Sequence, residues 1–350
     1  MPERMPAASA LLPRRRLLAA GAAVLASPAL LTRRARAATD LGTLGIRLCW
    51  ITNAQFAGEY FADSRGYYRA QGFSAVQLQG GGPSAPPVEI DLMQNKCLLG
   101  LSAVDITAAA IGQGATVRTL GALYQKSAFC LVSLSSRPIS GPHEMIGRRI
   151  GVQAGNQVVF STFLQLNGID PARVQVVPVQ FDPSPLAAGE VDGWVGYIGN
   201  EPAMLKAKGI AATTFLFADH NYPLVMETYV ARLDSIQHDR DRLKAALRAE
   251  IRGWKDNLRD PDGGARLAVD RYGRNLGLNI VSETYQSHTE NTLIVSPATA
   301  VHGLLTLTPD LIERNVKVLR DLGNDISATD VFDTSVIDEI YREDPTLIAA

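Results

Sequence analysis

Hydrophobic positions along the chain alternate between short apolar runs typical of strands and segments with the spacing typical of helices. This pattern predicts alternating strands and helices. Short apolar runs typical of strands occur at residues 44–50, 75–78, 97–101 and 116–123. Segments with helical spacing lie between them, at residues 56–69, 88–94 and 106–112. Strands that alternate with helices indicate parallel βαβ units, so this part of the chain is predicted to form an α/β lobe.

The same pattern restarts near residue 149, which predicts a second α/β unit. Its strand-like segments are 149–152, 174–179, 193–197 and 213–217. Its helix-like segments are 157–166, 185–188 and 201–207. An apolar run at 225–231 predicts a strand that leads back toward the first unit. The helices predicted from residue 240 onward are 241–258, 261–272, 282–289, 309–322 and 335–342.

Together these elements predict a bilobal α/β protein with a crossing hinge and a helical C-terminal part. We assign residues 38–145 and 226–350 to lobe 1 and residues 146–225 to lobe 2. Two lobes joined by a hinge can close on a small molecule in the cleft between them. The loops at the carboxyl ends of the strands line such a cleft, so they are where we look for site residues.

The first 37 residues have the plan of an export signal. Three arginines, Arg14 to Arg16, precede an apolar run that continues to Leu31, and a small-x-small site ends at Ala37. The paired arginines resemble a twin-arginine signal, and the run is shorter than the roughly 20 residues needed to span a bilayer. We expect an exported, periplasmic or extracytoplasmic protein cleaved near Ala37. The alternatives are an N-terminal membrane anchor and a disordered tail.

The charge balance argues against a nucleic-acid partner. The chain has 350 residues, with 34 Lys+Arg and 35 Asp+Glu. Seven of the basic residues and one of the acidic residues lie in residues 1–37, so removal of this segment leaves a net charge near −7. An acidic protein has no electrostatic attraction to nucleic acid or to membrane phosphates, so any membrane contact is expected to be peripheral docking on a protein complex.

Three cysteines, Cys49, Cys97 and Cys130, all lie in apolar runs. In an oxidising compartment, an odd number of cysteines is compatible with two alternatives. The three can all be buried free thiols, or two can form a disulfide and leave the third as a free thiol.

The loops after the predicted strands carry aromatic and amide side chains that suit a ligand. Rings supply flat apolar area, amides and a carboxylate supply directed hydrogen bonds, and glycines allow close approach. The predicted ligand-binding residues are Trp50, Asn53, Gln55, Phe56, Tyr60, Gly81, Gly82, Ser102, Gln153, Asn156, Tyr197, Asn200 and Glu201. Alternative roles remain open, since Trp50 and Tyr60 suit a core and Ser102, Asn156, Asn200 and Glu201 suit helix starts.

No catalytic constellation stands out in the sequence. The patterns Gly-x-Ser-x-Gly, His-Glu-x-x-His and Cys-x-x-Cys are absent, and the five histidines are scattered without ligand spacing. We therefore predict no catalytic residues, no metal site and no cofactor, and a binding protein rather than an enzyme.

The order and spacing of several short motifs resemble one family, the SsuA/THI5-like (NMT1) solute-binding proteins of ABC importers. The resemblance covers roughly residues 44–325. The motifs are Trp50-x-x-Asn53-x-Gln55-Phe56-Ala57-Gly58-x-Tyr60-Phe61-Ala62, Gly66-Tyr67-Tyr68-x-x-x-Gly72-Phe73, Gly80-Gly81-Gly82-Pro83, Gly147-Arg148-Arg149-Ile150-Gly151-Val152, Val191-Asp192-Gly193, Asn200-Glu201-Pro202 and Arg252-Gly253-Trp254.

The resemblance implies a periplasmic-binding-protein type II fold and delivery of a small molecule to an ABC permease and its ATPase. Members bind thiamine pyrimidine precursors, riboflavin, or sulfonates, taurine and nitrate. The Asn200-Glu201-Pro202 run resembles the pyrimidine and flavin branch. We therefore expect a small heteroaromatic nutrient such as a thiamine pyrimidine precursor, with riboflavin or a sulfonate, taurine or nitrate as alternatives.

Fungal relatives in this family synthesise the pyrimidine with a histidine, a lysine-bound pyridoxal phosphate and a cysteine cluster. Phe56 stands where many pyrimidine-type members carry histidine, and this chain has no cysteine cluster. The enzyme alternative is therefore disfavoured.

Overall fold

A computed structural model describes residues 40–82 and 85–348, in which two β-sheets are flanked by helices. The predicted export signal at residues 1–37 lies outside these ranges. The strands are β1 (Thr43–Arg47), β2 (Ala75–Gln79), β3 (Leu99–Ala103), β4 (Val117–Tyr124), β5 (Phe129–Leu134), β6 (Arg149–Gln153), β7 (Gln175–Val179), β8 (Gly193–Tyr197), β9 (Ala212–Leu216) and β10 (Met226–Arg232).

The helices occupy the connections between strands and most of the chain after β10. They are α1 (Ala57–Ser64), α2 (Tyr67–Ala70), α3 (Val88–Met93), α4 (Val104–Gly112), α5 (Gln157–Leu166), α6 (Ser184–Ala187), α7 (Glu201–Ala207), α8 (Leu233–His238), α9 (Arg240–Arg259), α10 (Pro261–Leu267), α11 (Ile280–Ile294), α12 (Pro297–His302), α13 (Pro309–Asp321), α14 (Ala328–Val331) and α15 (Ser335–Glu343). None of the helices in the described ranges combines the length and hydrophobicity required to span a bilayer.

Each sheet has five strands, and each contains one strand that runs against its neighbours. The first sheet has the order β2-β1-β3-β10-β4, and the second has the order β7-β6-β8-β5-β9. Strand β10 is antiparallel to β3 and β4, and β5 is antiparallel to β8 and β9. The other pairs, such as β1 with β2 and β6 with β7, are parallel.

The long helix α9 packs on α1 because its apolar side chains recur at helical spacing. Leu243, Leu247, Ile251 and Trp254 are all buried along one face. A Cβ on Gly58 of α1 would overlap the Trp254 ring, so glycine is what allows the two helices to approach this closely. This contact anchors α1, and with it the loop that follows β1.

The structure confirms the predicted class of two α/β sheets with a helical C-terminal part and corrects several details. The helix predicted over 56–69 is instead a 3₁₀ turn, Ala54–Phe56, followed by α1 and α2, because the chain turns at Gly66 with φ of +73°. Strand β5 was not predicted, and two strands depart from the parallel arrangement.

The domain boundaries remain a prediction. Strand β5 lies in the second sheet although it precedes the boundary predicted near residue 146, and β10 lies in the first sheet. The chain therefore enters the second sheet earlier than the sequence pattern indicated.

A candidate ligand-binding site between the two sheets

A cavity of about 510 Å³ lies between the two sheets, within the usual range for small-molecule sites. One wall comes from the residues after β1 and the ends of β3 and β10, and the other from the ends of β5, β6 and β8. Crevices at the carboxyl ends of parallel strands are the usual ligand sites of open α/β sheets. The lining residues are Cys49, Trp50, Asn53, Gln55, Ser102, Ala103, Asp105, Ile106, Ala109, Phe129, Gln153, Gly155, Asn156, Val158, Val159, Phe181, Tyr197, Asn200, Glu201, Met226, Glu227 and Gln286.

The structure brings most of the predicted site residues to this cavity. Those that line it are Trp50, Asn53, Gln55, Ser102, Gln153, Asn156, Tyr197, Asn200 and Glu201. The alternative of helix capping is not realised by hydrogen bonds for Ser102, Asn156 or Asn200. Asn156 and Asn200 precede α5 and α7 without a capping side-chain bond, and the Ser102 hydroxyl instead donates to Glu89 at 2.7 Å.

Phe56 and Tyr60 do not line the cavity, which corrects the prediction for both. They are fully buried in the core of the first sheet. The Tyr60 ring stacks on Tyr272 with 4.2 Å between centroids and 7° between planes. Their place after the first strand suggested a site, but their helical spacing is that of the inward face of α1 and the turn before it.

Gly81 and Gly82 also lie outside the cavity lining, behind one wall. The Gly81 amide donates to the Trp50 carbonyl at 2.7 Å. A Cβ on Gly81 would stand 2.6 Å from the Cys49 carbonyl oxygen, so only glycine allows this approach. Gly81 therefore supports the segment that carries Trp50 instead of facing a ligand.

Glu227, which no sequence pattern indicated, lies at the buried end of the cavity and is only 2% exposed. It occupies a β-bulge in β10, where the register shifts between Met226 and Thr228, and its φ is +49°. Bulges and left-handed non-glycine residues concentrate near functional sites. The available signal was a single carboxylate inside the apolar run at 224–231.

Three side chains from two parts of the chain, the segment after β1 and the end of β8, converge on the Glu227 carboxyl. Gln55 Nε2 donates to Oε1 at 2.5 Å, and the Tyr197 hydroxyl donates to the same oxygen at 3.1 Å. The Cys49 thiol lies 3.6 Å from Oε2 and 3.7 Å from Oε1. Burial is the main cause that raises the pKa of Glu227 to about 8, and the nearby Glu59 carboxyl raises it further.

A second carboxyl, Glu201, approaches the cavity from the second sheet. Its Oε2 accepts from the backbone amide of Tyr197 at 2.7 Å, and its Oε1 accepts from Gln153 Nε2 at 3.1 Å. Burial raises the pKa of Glu201 to about 7. Tyr197 therefore contacts both carboxyls, one through its backbone and one through its hydroxyl.

Helix α11 presents a buried polar face to the loop after β1. Asn53 Nδ2 donates to Gln286 Oε1 at 3.2 Å, and Gln286 Nε2 donates to Glu290 Oε1 at 2.8 Å. The amide of Ala54 donates to Glu283 Oε2 at 2.7 Å. Gln286 lines the cavity but had no signal in the sequence, because its position depends on a helix more than 200 residues beyond Asn53.

The cavity is polar at its buried end and apolar at its opening. Asn53, Gln55 and Glu227 are buried, whereas Ile106, Val158 and Phe181 expose 44%, 71% and 40% of their surfaces. Aromatic rings lie along the walls. Phe129 and Tyr197 meet edge to face with 5.6 Å between centroids, and Trp50 and Phe181 supply two further rings.

The ionisable carboxyl and amine-type side chains on the described cavity wall are all of the acidic kind. Asp105, Glu201 and Glu227 contribute carboxyls, and none of the described lining residues is Lys, Arg or His. Cys49, Cys97 and Cys130 are all free thiols, and only Cys49 reaches the cavity. Burial and the Glu227 carboxyl raise the pKa of the Cys49 thiol, so it is held protonated.

Residues 53–263 match the family described as NMT1/THI5 like, a span of more than half the chain. The chain therefore belongs to the NMT1/THI5-like family, as its motifs predicted.

Of two curated relatives, one is named as a binding protein and the other as an enzyme. The riboflavin-binding protein RibY of Chloroflexus aurantiacus is 26% identical over 235 residues, which are 64% of this chain and 65% of that protein. The 4-amino-5-hydroxymethyl-2-methylpyrimidine phosphate synthase of Schizosaccharomyces pombe is 25% identical over 215 residues, 58% of this chain and 62% of that protein. The chain thus spans slightly less than two thirds of each relative's length.

Solved structures of binding proteins share the fold. The periplasmic aliphatic sulphonate binding protein SsuA from Escherichia coli superposes with a TM-score of 0.63 at 14% identity, over 81% of this chain and 92% of that one. This match confirms the predicted periplasmic-binding-protein type II fold. At this level of identity it shows the fold alone.

Proposed function

We propose that this protein is the exported solute-binding component of an ABC importer and that it captures a flat, uncharged or weakly basic heteroaromatic nutrient. The observation that carries the proposal is the cavity between the sheets, lined by aromatic rings, amides and carboxyls with no basic side chain among its described lining residues. Rings stack on a flat solute, and amides and carboxyls fix its orientation through directed hydrogen bonds.

The wall chemistry disfavours a sulfonate or a nitrate. Anion sites rely on Arg, Lys or free backbone amides at helix starts. Here Glu201 stands at the start of α7 and Asp105 in the first turn of α4, and both line the cavity. Carboxyls at these positions repel an anion whenever they are ionised, and they offer acceptors that an anion cannot use.

Within the heteroaromatic class, a thiamine pyrimidine precursor and a flavin are the two candidates. The Asn200-Glu201-Pro202 run resembles the pyrimidine and flavin branch of the family, and Glu201 lies on the cavity wall. The flavin is supported by the rings of Trp50, Phe129 and Phe181, which offer more flat surface than a single pyrimidine ring covers. The similarity to a riboflavin-binding protein supports it as well.

The described residues fit a protein that binds its solute without converting it better than they fit the synthase activity named for one relative. The only thiol at the cavity, Cys49, is held protonated by burial and by Glu227, whereas a nucleophilic cysteine must ionise. Phe56, where many pyrimidine-type members carry histidine, is buried and does not line the cavity. We therefore propose a binding role, with an ABC permease and its ATPase as partners.

Calorimetric titration of residues 38–350 tests this function. The solutes are riboflavin, 4-amino-5-hydroxymethyl-2-methylpyrimidine, taurine and nitrate. We expect one heterocycle to bind and the two anions not to bind. Stacking on an aromatic side chain contributes about 1–3 kcal/mol, so Trp50→Ala is expected to weaken binding about tenfold or more.

Glu201→Gln is the second variant, with the exposed Glu190→Gln as its matched control. Glu201→Gln is expected to weaken binding because an NH₂ donor replaces one of the two oxygens that accept from the Tyr197 amide and from Gln153 Nε2, and Glu190→Gln is expected to match the unmodified protein. Micromolar binding of taurine without any heterocycle would refute the proposed ligand class. Turnover of the solute by the isolated protein would refute the binding role.

A further inference from the structure

The two oxygens of the Glu227 carboxyl have unequal surroundings. Oε1 accepts hydrogen bonds from Gln55 Nε2 and from the Tyr197 hydroxyl. Among the residues that the structure describes, Oε2 has only the weak thiol donor of Cys49 at 3.6 Å. The carboxyl is almost fully buried and lies on the cavity wall, so Oε2 is the oxygen left for a ligand.

The backbone holds this side chain in place from an unusual conformation. Glu227 has a left-handed φ of +49° within a bulge, where both flanking residues continue the ladder with β3 and β4. A non-glycine residue persists in this region when its surroundings over-determine it. The bonds from Gln55 and Tyr197 provide that constraint and fix the direction of the carboxyl.

We propose that Glu227 determines the specificity of the site. Its protonated Oε2 donates a hydrogen bond to an acceptor on the solute, either a ring nitrogen or a carbonyl oxygen. This inference rests on the proposed function and identifies the edge of the solute that the site recognises. The solute's acceptor edge points toward the buried polar end, and its apolar edge lies near Ile106, Val158 and Phe181 at the opening.

The position of the proton follows from the hydrogen bonds. Two strong donors already occupy Oε1, so the proton of the neutral carboxyl resides on Oε2. Burial raises the pKa of Glu227 to about 8, which keeps the group mostly protonated at neutral pH. The solute is therefore bound by the protonated form, and binding weakens as the pH rises through about 8.

Other titratable groups face Glu227 from neighbouring elements and act on its pKa in both directions. The Glu59 carboxyl on α1 raises the pKa of Glu227, whereas the hydrogen bonds from Tyr197 and Cys49 lower it. The Glu227 charge raises the pKa values of its neighbours in turn. These neighbours are Cys49 after β1, Tyr124 on β4, Tyr197 on β8 and Glu290 on α11.

The inference is tested by measuring the affinities of two variants, Glu227→Gln and Glu227→Leu, between pH 6 and pH 9.5. The probes are riboflavin and 4-amino-5-hydroxymethyl-2-methylpyrimidine. Glutamine reproduces the neutral carboxyl, with an oxygen that accepts and an N–H that donates. Glu250→Gln is the matched control, because it alters a buried carboxyl that bonds Tyr68 and Tyr229 outside the cavity lining.

Three results are expected. The unmodified protein and Glu250→Gln lose affinity about tenfold per pH unit above about pH 8. Glu227→Gln shows no such loss. Any effect of titration of the probe itself is the same for both proteins, so it cancels in the ratio of the affinities of the unmodified protein and Glu227→Gln at each pH. Glu227→Leu binds about 30-fold or more weakly at pH 7, because the solute's acceptor is left unpaired in a buried site.

The inference is overturned if Glu227→Gln keeps the alkaline loss, or if a folded Glu227→Leu binds as tightly as the unmodified protein. If Glu227→Leu does not fold, the profile of Glu227→Gln decides alone. Failure of the unmodified protein to bind either probe refutes the proposed function itself. Normal binding at pH 7 combined with an unaltered Glu227→Gln profile refutes only the role of Glu227.

Discussion

The Tyr197 hydroxyl donates a hydrogen bond to Glu227 Oε1 at 3.1 Å, and this bond joins the two sheets across the cavity. Tyr197 ends β8 of the second sheet, and Glu227 lies in β10 of the first. The same oxygen accepts from Gln55 of the loop after β1. One carboxyl oxygen therefore connects three segments of chain at the point where we propose the solute binds.

We expect Tyr197→Phe to weaken binding of the heterocycle about fivefold, because it removes one buried hydrogen bond of about 1 kcal/mol and keeps the ring. Calorimetric titration measures this effect. Tyr341→Phe is the control, since its hydroxyl donates to the Leu304 carbonyl away from the cavity. Equal affinities of the two variants would contradict a role for the bond between Tyr197 and Glu227.

Stability is expected to fall as the pH rises from about 5 to above 8. Burial raises the pKa of Glu290 to about 8 and the pKa values of Glu59 and Glu283 to about 7. In the unfolded chain these groups ionise near 4.3, so between the two values the folded state holds more protons. The stability that they contribute is complete below pH 4 and is lost as the pH rises through 7 to 8.

Urea denaturation at pH 5.5, 7 and 8.5 measures this dependence. Each buried carboxyl lowers the free energy of unfolding by up to about 1.4 kcal/mol per pH unit between its unfolded and folded pKa values. Glu290→Gln removes one such group and is expected to flatten the curve. A free energy of unfolding that increases from pH 5.5 to pH 8.5 would contradict the prediction.

Gly58→Ala is expected to destabilise the fold by about 1–3 kcal/mol, because the added methyl overlaps the Trp254 ring between α1 and α9. The midpoint of chemical denaturation measures the change. Gly112→Ala is the matched control, since nothing lies within 4 Å of a Cβ at that position. An unchanged midpoint for Gly58→Ala would show that the two helices can separate without cost.

Cys49 is expected to be the cysteine that a maleimide modifies in the folded protein, because Cys97 and Cys130 are buried and Cys49 is partly exposed at the cavity. Reaction is expected to be slow at pH 7, since only the thiolate reacts and the pKa of this thiol is raised. Bound heterocycle is expected to slow it further. Mass spectrometry measures the modification, and Cys49→Ser is the control. Modification that the solute does not affect would place the solute elsewhere.

Local sequence was sufficient to predict the parts of the site that depend on strand ends. Asn53, Gln153 and Tyr197 follow or end parallel strands, and the topology of such sheets gathers these positions at one crevice. The same reasoning failed for Phe56 and Tyr60. Aromatic side chains that follow a strand end suit either a site or a core, and only the packing of α1 decides between the two.

The residues that the sequence did not reveal reach the cavity through long-range contacts. Glu227 depends on a bulge that forms only when β10 lies between β3 and β4. Gln286 depends on the docking of α11 against the turn that begins at Asn53. Phe129 begins β5, an antiparallel strand that alternation with helices does not predict. Hydrophobic periodicity reports which face of an element is buried but not which distant element covers it.

The placement of β10 has a consequence for how the chain reaches its native state. The first sheet has a gap between β3 and β4 that only β10 fills, and the entire second sheet is encoded between β4 and β10. Contacts of such large sequence separation form late and slow folding. A nascent chain truncated before residue 226 is therefore expected to lack a stable first sheet and to remain sensitive to proteases until β10 has emerged.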